Sequence, residues 1–280
     1  MRIGTLNLAN AVRDETGSEG RYRFGARFER IVALLLTLQL DMLCVQEVRA
    51  CRRRDGDTRP GLWTPHEIIT ELGSRLDFDA YACQRNNATE LAFHKATFYN
   101  SKKFFALTQQ TWWPSTGAED MPGGAQFGQN VFGVSFVVLP NTTTLSDGAL
   151  FPTNQAKSRL TVWNVHAPTS RAGRDAYMEL LKKRCIDGPA LLLGDFNSFP
   201  DAGGAEQMAS LDETHVNVSQ GCGPTFYSFE HDTAPDGSRY TSQLDHVLTT
   251  RDFPWKCTVE KRDISETQES DHFPLVVTLE

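Results

Sequence analysis

Little in this chain points to a membrane, a disulfide framework or a polyelectrolyte partner. Of its 280 residues, 28 are Lys or Arg and 35 are Asp or Glu, giving a formal net charge of −7. That balance excludes a protein that coats nucleic acid by bulk charge, so any phosphate contact needs a local cationic patch or a metal. No stretch reaches the roughly 18 apolar residues needed to cross a bilayer. The opening "MRIGTLNLAN" alternates like a strand and lacks the apolar segment of a secretory signal. An intracellular protein is expected, with reduced thiols: its six cysteines are scattered and include no CxxC pair. The N-x-S/T triplets at Asn87, Asn141 and Asn217 then have no glycosylation context. Short-period repeats, low-complexity segments and linkers are absent too, which leaves one domain over residues 1–280.

Strand- and helix-like segments recur along the chain. "RIGTLNLA", "DMLCVQEV", "FGVSFVVL", "RLTVWNVHAP", "ALLLGDFN", "SQLDHVLTT" and "PLVVTLE" are apolar runs of strand length. "RFERIVALLLTLQ", "HEIITELGSRL" and "GRDAYMELLKKRC" carry apolar residues at helical spacing. "ATFYNSKKFFAL" reads as a hairpin, two short strands about a polar turn. Apolar strands alternating with helices predict a layered α/β fold with buried sheets.

Polar residues cluster where these strands end. Asn7 closes the first strand, Glu47 follows "CVQ", and His166 ends "TVWNVH". Asp195 and Asn197 follow "LLLG", Asp245 interrupts "SQLDHVL", and Asp271 and His272 precede the last strand. A buried carboxylate without a partner is costly, so each of these needs a cation or a donor. Convergence of the strand ends on one hard divalent metal accounts for them together. Oxygen ligands suit Mg²⁺, with Mn²⁺ able to substitute, and the missing Cys/His spacing argues against zinc.

In that order, "TLNLAN", "CVQEV", "NVHAP", "LGDFN", "LDHV" and "SDHFPL" resemble the endonuclease/exonuclease/phosphatase superfamily over essentially the whole chain. The resemblance implies a four-layered α/β sandwich, with two central mixed β-sheets flanked by helices and the active site at one edge. It implies an Mg²⁺-dependent phosphoric ester hydrolase that forms no covalent intermediate. Asn7, Glu47 and Asp271 would bind the metal, and Asp195 would activate water with Asn197 beside it. His272, oriented by a hydrogen bond to Asp245, would contact the phosphate, and His166 would be a second phosphate-facing histidine. In some branches an acid supports that histidine, and "TWWPST" supplies none.

Taken singly, these residues have ordinary readings: a strand cap for Asn7, a solvated acid for Glu47, a hydrogen-bonded core histidine for His166. Their order decides against those readings. His246, His94, His215 and His231 are expected to be packed or structural, and the run Lys182 to Arg184 a solvated face. For the substrate, "NVHAPTSRAGRDAYMELL" is similar to the segment in tyrosyl-DNA phosphodiesterases and in bacterial-type hydrolases, and "FGQNVFGVSFVVL" resembles a strand of the deadenylase branch around Asn130, a candidate substrate contact. Arg52, Arg53 and Arg54 lie just after the Glu47 strand and could grip a polymer backbone. The expected substrate is therefore nucleic acid, handled by a monomer. The alternatives are a small phosphorylated head group, as in a phosphomonoesterase or lipid phosphodiesterase, and an inactive binding module.

Overall fold

The computed structural model describes residues 1–9, 24–49, 51–52, 62–84, 94–112, 129–139, 159–200, 203–228, 241–267 and 269–280. In chain order the elements are β1 (Arg2–Asn7), α1 (Phe24–Thr37), β2 (Met42–Val48), β3 (Cys51–Arg52), β4 (Leu62–Trp63), α2 (Pro65–Leu76) and β5 (Asp79–Gln84). There follow β6 (His94–Tyr99), β7 (Phe104–Trp112), β8 (Val131–Val138), β9 (Arg159–His166), α3 (Arg171–Arg184) and β10 (Ala190–Asp195). The last are α4 (Gly204–Ala209), β11 (His215–Asn217), β12 (Phe226–Tyr227), β13 (Thr241–Ser242), β14 (Asp245–Thr250), β15 (Cys257–Lys261) and β16 (Leu275–Leu279).

Two six-stranded mixed sheets form the centre, ordered β15-β16-β1-β2-β6-β5 and β11-β14-β10-β9-β8-β7. Each has one parallel pair at its middle, β1 with β2 and β9 with β10, and antiparallel neighbours outside it. Helices α1 and α2 cover the outer face of the first sheet, where Phe24, Phe28, Ile31, Val32 and Leu35 meet Leu6, Leu43, Val45 and Phe98. Helix α3 covers the second, with Tyr177, Met178 and Leu181 against Trp163, Val165 and Leu192. Between the sheets lies a third apolar layer of Ile3, Met42, Phe136, Val162, Leu191, Leu193, Val247 and Leu275. The result is the four-layered α/β sandwich that the sequence implies.

Local chemistry sets the elements. Helix α2 begins with a capping box: Glu67 N–H donates to Thr64 Oγ1 at 3.2 Å and Thr64 N–H to Glu67 Oε2 at 2.9 Å, with Pro65 in the first turn. It stops where Asp77 turns left-handed at φ 56°. Along β1, β9 and β10, side chains alternate between a helix-covered face and the face between the sheets. That alternation aims Thr5, Asn7, Asn164, His166 and Asp195 inward. Among the described residues no helix is long and apolar enough to cross a membrane. The five cysteines whose side chains are described are free thiols.

One expectation is overturned. The segment read as a hairpin is a corner between layers: β6 pairs with β2 and β5 in the first sheet, and β7 pairs with β8 in the second. Tyr99 and Phe104, on either side of the turn, both pack on Phe136 between the sheets, at 5.1 and 5.8 Å between ring centroids. Burying both aromatics in that layer requires the strands to lie face to face.

Candidate active site

Topology gathers the strand-end polar residues at one edge. The parallel strands β1, β2, β9 and β10 finish at Asn7, Glu47 to Val48, His166 and Asp195, and open α/β sheets bind ligands at such carboxyl ends. Strand β14 runs antiparallel to β10 and so begins at this edge with Asp245. Strand β16 runs antiparallel to β1, which brings its lead-in, Asp271 and His272, to the same place.

In the second sheet the placement is regular. Asp195 sits directly opposite His166 on one side and Asp245 on the other, three site residues in one row across three strands. Gly194 before it has φ 141°, and a Cβ there would collide with Val165 O, so only glycine fits. In the first sheet the placement is irregular. Alternation turns Gln46 inward and would send Glu47 toward the helices. Instead the β2–β6 register slips between Val45 and Val48, and Glu47 takes φ 57°. The bulge gives one extra residue, which turns Glu47 to the edge and returns Val48 to the helix-facing core.

Contacts within the cluster are close. Asn7 Nδ2 donates to Glu47 Oε1 at 3.2 Å and to Asp195 Oδ2 at 3.1 Å, while its Oδ1 accepts from Ala9 N–H at 2.9 Å. His166 Nε2 lies 3.8 Å from Glu47 Oε1 and 3.7 Å from Asp195 Oδ2. His272 Nδ1 is 2.8 Å from Asp245 Oδ2, and its Nε2 is 4.0 Å from both Asp195 Oδ2 and Asp271 Oδ1. Asn197 N–H donates to Asp195 Oδ1 at 2.8 Å, and Asn197 Nδ2 to Ala167 O at 2.8 Å. Asn7, Glu47, His166, Asp195, Asn197, Asp245, Asp271 and His272 thus form one group centred on Asp195.

A model of the endonuclease/exonuclease/phosphatase family matches residues 4–272. This protein belongs to that family. It is a phosphoric ester hydrolase by that membership. Solved structures of the same fold include a mannosyl-6-phosphatase from Bacteroides thetaiotaomicron, 18% identical with a TM-score of 0.67, covering 100% of this chain and 99% of that one. D. rerio TDP2 complexed with a single-strand DNA product is 11% identical with a TM-score of 0.63, covering 100% and 98%. The human Nocturnin catalytic domain with bound sulfate is 18% identical with a TM-score of 0.58, covering 100% and 93%. No curated protein matches the sequence.

The family typically works with a divalent metal, and the donor set here fits one. Asp245 Oδ1 and Asp271 Oδ1 are buried carboxylate oxygens with no hydrogen-bond partner among the described residues. Asp195, Asp245 and His272 offer ligand atoms within 4.8 Å of one another. His272 Nδ1 and Asp245 Oδ2 already bond each other, which leaves the unpartnered oxygens and Glu47 as the groups fitted to a cation. A hard cation that favours oxygen ligands would relieve this crowding. Without it, burial and the neighbouring Asp245 and Glu47 push the Asp195 carboxyl up to about 7, against the pull of His272 and Asn197 N–H. Burial alone would lower the His272 pKa, but Asp245, Asp195 and Asp271 together hold it well above 6.5.

Some residues sit otherwise than expected. Asn7, expected as an oxygen ligand, presents its nitrogen to the acids because Ala9 N–H occupies its oxygen, so it links Glu47 and Asp195. Asn130, expected to touch substrate, is 1% exposed and donates to Cys83 Sγ at 3.0 Å, while its carbonyl accepts from Tyr177 Oη at 3.1 Å and from Lys95. Its neighbour Gln129 lies 3.4 Å from His166 Nδ1, an amide where a carboxylate was sought. The Arg52 side chain, Arg53, Arg54 and His231 fall outside the described residues, as does the His94 side chain. His246, by contrast, is packed as expected and points away from the site, its Nε2 2.9 Å from Ser198 Oγ and its Nδ1 3.3 Å from Asn217 Nδ2, and burial pushes its pKa down to about 4. His215 is held by Thr214 and Cys185 O.

Sequence reading missed the layer beneath the site. Gln46 Nε2 donates to Thr5 Oγ1 at 3.0 Å and to Asn164 Oδ1 at 2.8 Å. Asn164 Nδ2 donates to Val45 O at 3.1 Å and Ala96 O at 2.9 Å. These buried amides lock the two sheets together directly below Glu47 and His166. Polar residues at inward positions of β2 and β9 were the available signal.

Proposed function

We propose that the protein is an Mg²⁺-dependent phosphodiesterase acting on nucleic acid as a single-domain monomer. The observation that carries the reading is Asp195, flanked in register by His166 and Asp245 and linked by Asn7 to Glu47. Asp195 takes the proton of the attacking water, and Asn197 helps to hold that water and a phosphoryl oxygen. As the water oxygen bonds to phosphorus, the ester P–O bond breaks and the leaving oxygen takes up a proton. His272, its Nδ1 fixed by Asp245, offers Nε2–H to a phosphoryl oxygen, and His166 faces the phosphate from the other sheet. Glu47 and Asp271 would hold the cation, with Asn7 keeping Glu47 in place. Bound there, Mg²⁺ would supply the positive charge that stabilises the phosphoryl and leaving oxygens.

Nucleic acid is favoured because the half-buried Phe226 ring packs edge-on to His272 at 5.2 Å with Phe199 beside it at 6.2 Å, an aromatic rim suited to a base. The fold shared with TDP2 bound to a DNA product supports the same reading. A second reading, hydrolysis of a small sugar phosphate, is favoured by the likeness to the mannosyl-6-phosphatase and by the net charge of −7. Measuring kcat/KM with Mg²⁺ on a single-stranded oligonucleotide, a 5′-tyrosyl oligonucleotide and a sugar 6-phosphate separates them. Activity confined to the sugar phosphate would replace the first reading with the second. Metal-independent activity, or Mg²⁺ binding left intact by Glu47→Ala, would sink the proposed site.

A further inference from the structure

Arg27 is a guanidinium in the first turn of α1, 1% exposed, outside the strand ends that carry the site residues. Its Nη1 donates to Leu8 O at 3.0 Å and to Glu269 O, and its Nη2 donates to Ala9 O at 3.0 Å. Leu8 and Ala9 are the two residues after Asn7, and Glu269 stands two before Asp271. All three carbonyls lie beyond the ends of the strands, where burial without a donor is costly. We propose that Arg27 is a positioning residue for the hydrolysis, stapling the segment that carries Asn7 to the segment that carries Asp271 and His272.

The coupling runs through one peptide unit. The Leu8 carbonyl that Arg27 holds belongs to the same planar peptide as the Ala9 N–H that donates to Asn7 Oδ1. Fixing that carbonyl therefore fixes the amide that turns the Asn7 nitrogen toward Glu47 and Asp195. Ala9 itself has φ 50°, a conformation that a non-glycine residue keeps only under outside restraint. On the other segment, Ser270 Oγ donates to Asn7 O at 2.6 Å and accepts from His272 N–H at 3.1 Å, a second tie parallel to the first. A guanidinium suits the task because its planar fork offers five donors at fixed angles to separate acceptors. An ammonium, one point charge on a flexible stem, cannot hold both segments in the same geometry.

The inference rests on the proposed site, and the experiment keeps the two apart. Mg²⁺ binding is measured by calorimetry without substrate for Arg27→Lys, Arg27→Met and Ser270→Ala. The kcat and KM are measured on bis-p-nitrophenyl phosphate at saturating Mg²⁺, and melting is followed for each variant. Leu72→Ala, on the buried face of α2, serves as a destabilised control remote from the site. Arg27→Lys is expected to stay folded and to lose Mg²⁺ affinity and kcat by roughly 10- to 100-fold with KM little changed. Arg27→Met should lose more, so that lysine restores part of the function, and Ser270→Ala should lose in the same direction by less. Leu72→Ala should melt earlier with Mg²⁺ affinity and kcat unchanged. Wild-type affinity and kcat in folded Arg27→Lys would overturn the proposal, as would losses that merely track melting. If neither Arg27 variant folds, Ser270→Ala decides, and an unchanged enzyme there overturns it. Failure of the site itself would show separately, in Glu47→Ala.

Discussion

The two sheets share one pairing plan but deliver their residues to the edge by different means. The second sheet does it by regular strand geometry. His166, Asp195 and Asp245 occupy inward positions of β9, β10 and β14 and face one another in register. The first sheet uses exceptions. Glu47 needs a bulge and a positive φ, and Asp271 and His272 stand on a lead-in outside the ladder. Regular pairing gives the second sheet a rigid row suited to orienting a proton acceptor. Irregular backbone lets the first sheet crowd oxygens together at local cost, which fits a group meant to be relieved by a cation.

The largest expected effect tests the regular sheet. Asp195→Asn keeps the shape of the row but removes the proposed proton acceptor, so kcat should fall by roughly 10²- to 10⁴-fold. Melting should hold or rise, because a buried carboxylate beside Asp245 and Glu47 has gone. A variant that turns over normally would remove the second sheet from the chemistry. Next comes the link between sheets. Asn164→Leu removes one of the two acceptors of Gln46 Nε2 and the side-chain donor to Val45 O and Ala96 O, and should cost about 1–3 kcal/mol in urea unfolding. A neutral result would mean that apolar packing alone sets how the sheets face each other.

How far the sequence could be read divides along the same line. His166, Asp195 and Asp245 follow the two-residue alternation that a strand imposes, so their convergence was visible in the spacing of apolar neighbours. The same parity turns His246 outward. Glu47 was found from its place at a strand end and from the resemblance of "CVQEV", while its direction was not legible, since alternation alone sends it to the helices. Arg27 was invisible because its partners are backbone carbonyls, which leave no trace in side-chain pattern. Gln129 was missed because the search was for an acid. The corner at residues 100–103 passed for a hairpin because a short polar turn looks the same whether the next strand pairs beside the first or stacks beneath it.

Two further effects sharpen the contrast. Glu47→Gly relieves a positive φ that glycine tolerates freely, so the metal-free protein should gain about 1 kcal/mol while Mg²⁺ binding disappears. Denaturant melts with and without Mg²⁺ would check both, and a destabilised metal-free variant would count against strain at the bulge. The last effect lies on the outer face of the second sheet. The folded-state pKa of His246 is lowered from 6.5 to about 4, so the folded protein binds fewer protons than the unfolded one between those values. Stability should therefore be complete above about 6.5 and decline as pH falls toward 4, with His215, also lowered, adding to the slope. His246→Gln should flatten that decline in melting scans between pH 7 and 5. An equal slope in the variant would assign the acid sensitivity elsewhere.

The corner between β6 and β7 also orders the assembly of the molecule in time. The second sheet draws on one continuous stretch, from Phe104 to Thr250. The first is split, its N-terminal strands waiting for β15 and β16, and Thr5 on β1 pairs with Leu275. A chain emerging from the ribosome can close the second sheet while the first still shows an open edge along β1. His272 arrives with the strand that covers that edge. On the proposed mechanism, hydrolytic capacity would therefore come into being only at the last docking step, and a prematurely terminated product would lack His272 and Asp271.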